Sequence, residues 1–350
     1  MRIAIVAPPW YEVPPVAYGG IESVCYDLTQ GLVARGHDVT LIAAGMKHVD
    51  AGFVPTFDVP PSGLGTPAAC VLELTHAVKA ARAIDRLEPD VVHDHSAAGA
   101  LTARARGSPT VVTVHNGSSI SERFLTALDG DVFLVALSEA ERRACPTLPW
   151  IAVAHNGIRV DSYPFREKKN SFILFLGRTS ADKGLDLAIE AARDAHVPLV
   201  IAAKCVEPEE RAFFAERVEP ELDRGIRWLG EVGERAKRRL LARARALIMP
   251  VRWDEPFGLV AVEALACGTP VVALANGALP EIVRDRVTGF LCERPADLVG
   301  ALGELDRIDP AACRRDAETR FTADRMVERY EAVYETAVGR TSRPMLATAS

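Results

Sequence analysis

The chain has 350 residues, 49% hydrophobic and 25% charged, with 41 Lys+Arg against 47 Asp+Glu. This is an ordinary globular composition, and the length exceeds what one hydrophobic core usually supports, so two domains are expected. A net charge of -6 argues against a broad nucleic-acid footprint, and no apolar run reaches the roughly 18 residues of a membrane span. Residues 1–7 run into Pro8-Pro9 too soon for a signal peptide. The seven cysteines are scattered, with no C-x-x-C pair. They read as buried free thiols in a reducing cytoplasm, which sets the expected location.

In chain order, short apolar runs alternate with amphipathic patterns. The first half offers strands at 3–7, 39–43, 91–93, 110–115, 132–137 and 151–154. The second offers 172–176, 199–203, 246–249, 270–273 and 290–292. Most runs are apolar throughout, as strands buried on both faces of a parallel sheet are. Ile21, Val24, Cys25, Leu28 and Leu32 recur at helical spacing, and Gly36 closes that helix. Leu185, Ala188, Ile189 and Ala192 repeat the pattern after Asp182-Lys183-Gly184. Repeated units of this kind predict α/β, doubly wound parallel-sheet domains.

The polar stretch 161–170, with Pro164, is the expected linker. It divides a first domain (1–165) from a second (166–320). A helix within 321–340 and a frayed tail at 341–350 follow. Up to Tyr163 there are 12 Lys+Arg against 17 Asp+Glu, and afterwards 29 against 30. The second half is therefore the better host for an anion.

The most informative segment runs from Ala246 to Val272. A buried strand ends at Pro250, a loop holds Glu255, and Pro256 suits the first turn of a helix that Gly268 closes. Glu263 lies two turns down a helix with almost no polar face, where a carboxylate usually has a bound partner. Eight residues at helical rise place the two acids at most ~12 Å apart. That span matches a nucleotide sugar, whose vicinal hydroxyls suit carboxylates at both ends. The N–H groups near Phe257, Gly258 and Leu259 face the space between, where the helix dipole favours an anion.

This E-x7-E segment resembles the donor-binding motif of family 4 glycosyltransferases, and the resemblance covers roughly residues 2–338. It implies the GT-B fold: two Rossmann-like domains facing across a cleft, the first on the acceptor side and the second binding the nucleotide sugar. Gly177-Arg178-Thr179-Ser180-Ala181-Asp182-Lys183-Gly184 is similar to the family's G-R-x4-K-G element. Arg178 and Lys183 are then expected to clamp the diphosphate and stabilise its leaving charge. A lysine in a first helical turn opposes the helix dipole, which favours a ligand role over a structural one. Tyr18-Gly19-Gly20-Ile21-Glu22 resembles the family's glycine loop, with Gly19 and Gly20 approaching the diphosphate from the first domain. The preceding loop, with Trp10 and Tyr11, is expected to shape the acceptor pocket. His115, at a strand end before Asn116-Gly117, matches a histidine beside the donor sugar. Ser138-Glu139 matches a lesser contact. His155-Asn156-Gly157-Ile158 matches N-G-[VI]-D, but Arg159 replaces the aspartate. The segments 277–283 and 288–290 also match and read as structural. The final helix is expected to pack back on the first domain.

Three other patterns lead elsewhere. His93-Asp94-His95 lacks further ligands at metal spacing and reads as an acceptor-side polar cluster. Gly63-Leu64-Gly65-Thr66-Pro67-Ala68 fits a dinucleotide fingerprint but follows prolines and not a buried strand. Asp129-Gly130-Asp131 precedes a strand, whereas metal-binding D-x-D follows one, so it reads as a turn.

The resemblance implies a retaining, metal-independent hexosyltransferase with no cofactor beyond its nucleoside-diphosphate sugar. Glu255, His115, Arg178 and Lys183 form the catalytic set. Gly19, Gly20, Arg178, Lys183, Phe257, Gly258, Leu259 and Glu263 bind the donor. The acceptor is a small molecule, glycan or glycolipid; nucleic acid is not expected, and peripheral membrane contact stays open. A nucleotide-sugar epimerase and a non-catalytic nucleotide-sugar-binding protein are the alternatives.

Overall fold

The computed structural model describes residues 1–115, 117–128 and 130–341. Asn116, Asp129 of the D-x-D pair, and residues 342–350 of the expected tail lie outside the described residues.

The first half contains β1 (Arg2–Val6), α1 (Gly20–Ala34), β2 (Asp38–Ala44), β3 (Gly52–Phe57), α2 (Ala68–Leu87), β4 (Val91–Asp94), β5 (Thr110–Thr113), α3 (Ser118–Ala127), β6 (Phe133–Ala136), α4 (Glu139–Ala144) and β7 (Trp150–Val153). The second contains β8 (Ile173–Arg178), α5 (Leu185–Asp194), β9 (Leu199–Lys204), α6 (Pro208–Phe213), β10 (Ile226–Trp228), α7 (Glu234–Arg243), β11 (Ala246–Met249), α8 (Leu259–Ala266), β12 (Val271–Leu274), α9 (Leu279–Ile282), β13 (Gly289–Cys292), α10 (Asp297–Gly303) and α11 (Pro310–Arg320). A long helix, α12 (Ala323–Thr341), follows.

Two parallel sheets result, in the orders β3-β2-β1-β4-β5-β6-β7 and β10-β9-β8-β11-β12-β13. The order reverses between β1 and β4 in one and between β8 and β11 in the other. Crevices open at such reversals, beyond the carboxyl ends of the strands. The apolar runs account for every strand except β3 and β10, and both of those are outer edges. An edge strand is covered on fewer sides and needs no continuous apolar run. β3 is mostly half-buried and tolerates an exposed Pro55, and β10 is three residues long with Arg227 in solvent.

α12 joins the core of the first sheet although the whole second sheet precedes it. Met326, Val327, Tyr330 and Tyr334 pack with Ile3, Ile5, Leu28 and Leu32. The Tyr330 hydroxyl lies 2.9 Å from Thr113 Oγ1, and that of Tyr334 lies 2.8 Å from His93 Nδ1. Backbone bonds tie the two interdomain crossovers together: Ile158 N donates to Phe321 O and Ala323 N to Ile158 O. Cys25, Cys145, Cys267, Cys292 and Cys313 are buried thiols, whereas exposed Cys70 and half-buried Cys205 depart from the expectation. Among the described residues no helix is long and apolar enough to cross a membrane.

Candidate functional site

A cavity of about 970 Å³ lies between the sheets, lined from both, and a smaller one of about 220 Å³ shares its wall at Tyr18, Gly20, Lys183, Lys204, Glu255 and Gly258. Both sit at the carboxyl ends of strands beside the order reversals.

α8 begins later than the sequence suggests. Its first residue is Leu259, and Pro256 stays in the loop. Buried Phe257 anchors that loop, and Gly258 at φ +90° turns the chain into the helix. A Cβ at Gly258 would meet Leu279 Cδ2 at 3.0 Å, and φ there disfavours any side chain. No side chain caps this terminus, so its N–H groups and the positive end of the dipole are offered to the cavity.

Lys183 also lies outside the helix expected to hold it. It belongs to a short turn, Ala181–Lys183, before α5. Gly184 follows at φ +70°, so close to the Pro250 carbonyl that a Cβ would collide with it. This contact presses the loop after β8 against the loop after β11. Lys183 Nζ consequently donates to Glu255 Oε2 at 2.6 Å and stands 4.6 Å from the centre of the Trp253 ring. Trp253 Nε1 donates to the same oxygen at 3.0 Å. Behind them, Ala278 N donates to Glu255 O at 2.8 Å, which gives the 277–283 segment its structural task.

Glu263 is 2% exposed. Its Oε1 accepts from Tyr163 Oη and Lys237 Nζ, each at 2.7 Å. Its Oε2 is buried with no hydrogen-bond partner among the described residues and belongs to a side chain lining the smaller cavity. An acceptor in that position is suited to a ligand hydroxyl. Burial opposes the Lys237 charge, yet the Glu263 and Glu234 carboxylates hold its pKa above the usual lysine range. Burial, with the Glu263 charge, pushes the Tyr163 phenol up.

Arg178 ends β8 and lines the larger cavity, its NH2 donating to Asp182 at 3.0 Å. Gly20 faces α8 from the other sheet: a Cβ there would lie 3.8 Å from Leu259 Cδ2. Gly19 caps α1 at φ +151°. Tyr18 N donates to Glu231 Oε1 at 3.0 Å, spanning the cleft.

His115 lines the larger cavity, and its Nε2 shares a hydrogen bond with His95 Nδ1 at 2.8 Å. Burial pushes the His115 pKa down to about 4, and that of His95 well below the usual range, so both are neutral near pH 7. The H-x-H pair divides. His95 lines the cavity, whereas both ring nitrogens of His93 are committed to Tyr334 and Thr113 in the core. Ser138 does not line either cavity; its Oγ caps α4 by accepting from Glu141 N at 3.0 Å. Arg159, replacing the family's aspartate, pairs with Asp27 at 2.8 Å. The Gly63–Ala68 segment forms the turn into α2, with Thr66 Oγ1 donating to Gly63 O.

Three site residues escaped the sequence reading. Tyr163 lay in the linker, and Lys237 looked like a solvent charge on polar α7. Lys204 ends buried β9, held by Glu207 at 2.5 Å and lying 3.7 Å from Glu210. Its position was the available signal, since a cation ending a buried parallel strand faces the ligand crevice.

The chain resembles proteins of matching architecture along nearly its whole length. Residues 18–162 match the family model described as Glycosyltransferase Family 4, and residues 161–307 match Glycosyl transferases group 1. Glycogen synthase of Mycobacterium tuberculosis is 28% identical, covering 93% of this chain and 91% of that protein. AviGT4, a glycosyltransferase involved in avilamycin A biosynthesis, is 25% identical with a TM-score of 0.72, covering 97% of this chain and 98% of that one. Sucrose-phosphate synthase from Thermosynechococcus elongatus is 18% identical with a TM-score of 0.79, covering 97% and 99%. The two matches divide the chain between its two sheets, and the same pair of sheets recurs in these structures as the GT-B fold. On that agreement of sequence and architecture, the chain belongs to the family 4 glycosyltransferases and is a sugar-transferring enzyme.

Proposed function

We propose that this enzyme transfers a hexose, with retention and without a metal ion, from a nucleoside-diphosphate sugar to an acceptor hydroxyl. The observation that carries the reading is the meeting of Glu255, Lys183, the mouth of α8 and Gly20 on one cavity. Glu263 takes the ribose with its unpaired oxygen. The diphosphate lies at the α8 terminus, between Gly19-Gly20 and the Arg178 and Lys183 side chains. Phe257, Gly258 and Leu259 form the turn that presents the helix N–H groups. Glu255 and neutral His115 hold the hexose through its hydroxyls. The acceptor enters from the first sheet's side.

Donor entry exchanges the Lys183–Glu255 pair for two ligand contacts. The ammonium turns to phosphate and the carboxylate to sugar hydroxyls. The acceptor hydroxyl then attacks the anomeric carbon on the face that the diphosphate leaves. The bond from that carbon to the phosphate oxygen breaks, and the acceptor proton passes to a diphosphate oxygen. Charge growing on the leaving group is met by Lys183, Arg178 and the α8 dipole.

Thermal-shift screening against UDP-, GDP-, ADP- and dTDP-sugars identifies the donor, since a bound ligand raises the melting temperature. With that donor, Lys183→Ala is expected to lower kcat/KM by about 10²–10³, and EDTA to leave the rate unchanged. Unchanged turnover in the variant removes the leaving-group role. Loss of activity in EDTA replaces this mechanism with a metal-dependent one.

A further inference from the structure

The class of acceptor can be argued from the charges on the larger cavity, on the footing of the function just proposed. Its cations, Arg178, Lys183 and Lys204, all come from the second sheet's side. Among the described residues, the wall built by the first sheet contributes no lysine or arginine. It contributes Trp10, Glu22, Glu73, His95, His115 and Asn156 instead.

Glu73 accepts from Trp10 Nε1 at 2.5 Å. Glu22, in the first turn of α1, is 3% exposed, and burial pushes its carboxyl up to about 8. It is therefore largely protonated at neutral pH and can donate as well as accept. His95 and Asn156 are each only 4% exposed. His95 Nε2 and Asn156 Oδ1 have no hydrogen-bond partner among the described residues. Buried polar atoms of this kind are normally satisfied, and here both side chains border the cavity.

We propose that the acceptor is a neutral polyhydroxylated ring, an unphosphorylated sugar or cyclitol, held by Glu22, Glu73, His95 and Asn156. Ring hydroxyls donate and accept, which answers this mixture of groups. A phosphate ester would face the Glu73 carboxylate with no cation on that wall. An ammonium would gain one carboxylate and lose hydration against a protonated acid and two neutral imidazoles.

The test uses the full chain and the donor giving the largest melting rise. Initial rates are measured with glucose, mannose and myo-inositol, each paired with its phosphate monoester, and with glucosamine. Neutral acceptors are expected to exceed their esters at least about tenfold in kcat/KM. Glu73→Gln is expected to raise acceptor KM about tenfold, with the donor-induced melting rise retained. Equal or better transfer to the esters overturns the proposal, as does preference for glucosamine over glucose. An acceptor KM unchanged in both Glu73→Gln and Glu22→Gln also overturns it. A donor-induced melting rise with any of these results leaves the donor reading standing, whereas no rise with any donor removes that reading itself.

Discussion

Glu22 occupies the first turn of α1, and burial raises its carboxyl from 4.5 to about 8. The unfolded chain releases this proton near the lower value and the folded chain near the higher one. Stability is therefore lost as pH rises from about 4.5 to about 8. Glu22→Gln removes the titration, so the variant should melt above the parent at pH 8 and together with it near pH 4.5. The gain at pH 8 is at most about 4 kcal/mol; melting curves at the two pH values check it. Single residues were legible in sequence where their type conflicted with their surroundings. Glu263 in an apolar helix is such a case, whereas Lys183 was singled out for opposing a helix dipole and yet precedes α5. Tyr163 and Lys237 were not, because their contacts with Glu263 depend on how distant segments meet.

At the scale of elements, continuous apolar runs marked the inner strands, and they failed for β3 and β10, whose outer flanks face solvent. The start of α8 was misplaced because Pro256 is compatible with a helix, whereas Gly258 must turn left-handed first. α1 packs tightly against α12, where a Cβ on Gly31 would come 2.5 Å from Val327 Cγ2. Gly31→Val should cost about 1–3 kcal/mol by overpacking, read as a lower denaturant midpoint. Adding Val327→Ala should return part of that loss, since the two sites share one contact.

Across the whole molecule, the two sheets were legible from their alternating runs, but the contacts between them were not. Glu281 illustrates the gap. Its segment read as structural within the second half, yet its carboxylate accepts from Glu139 N at 3.0 Å and Ala140 N at 2.6 Å, at the start of α4 in the first half. Burial opposes its charge, but the hydrogen bond from His155 and these two amides hold its pKa below the usual range. With Tyr18 on Glu231 and Gly20 against Leu259, this clasp holds the lobes around the cavity.

The docking of α12 also bears on how the protein is made. Translation delivers the seven strands of the first sheet early, but the helix that fills their core emerges only after the whole second sheet. Until then, His93 lacks the Tyr334 hydroxyl and Thr113 lacks that of Tyr330. Ribosome-bound chains halted just after Arg320 should therefore be cut by protease within β1–β7, while chains with α12 clear of the exit tunnel resist. Resistance in the shorter chains would mean that the first lobe matures without its late helix.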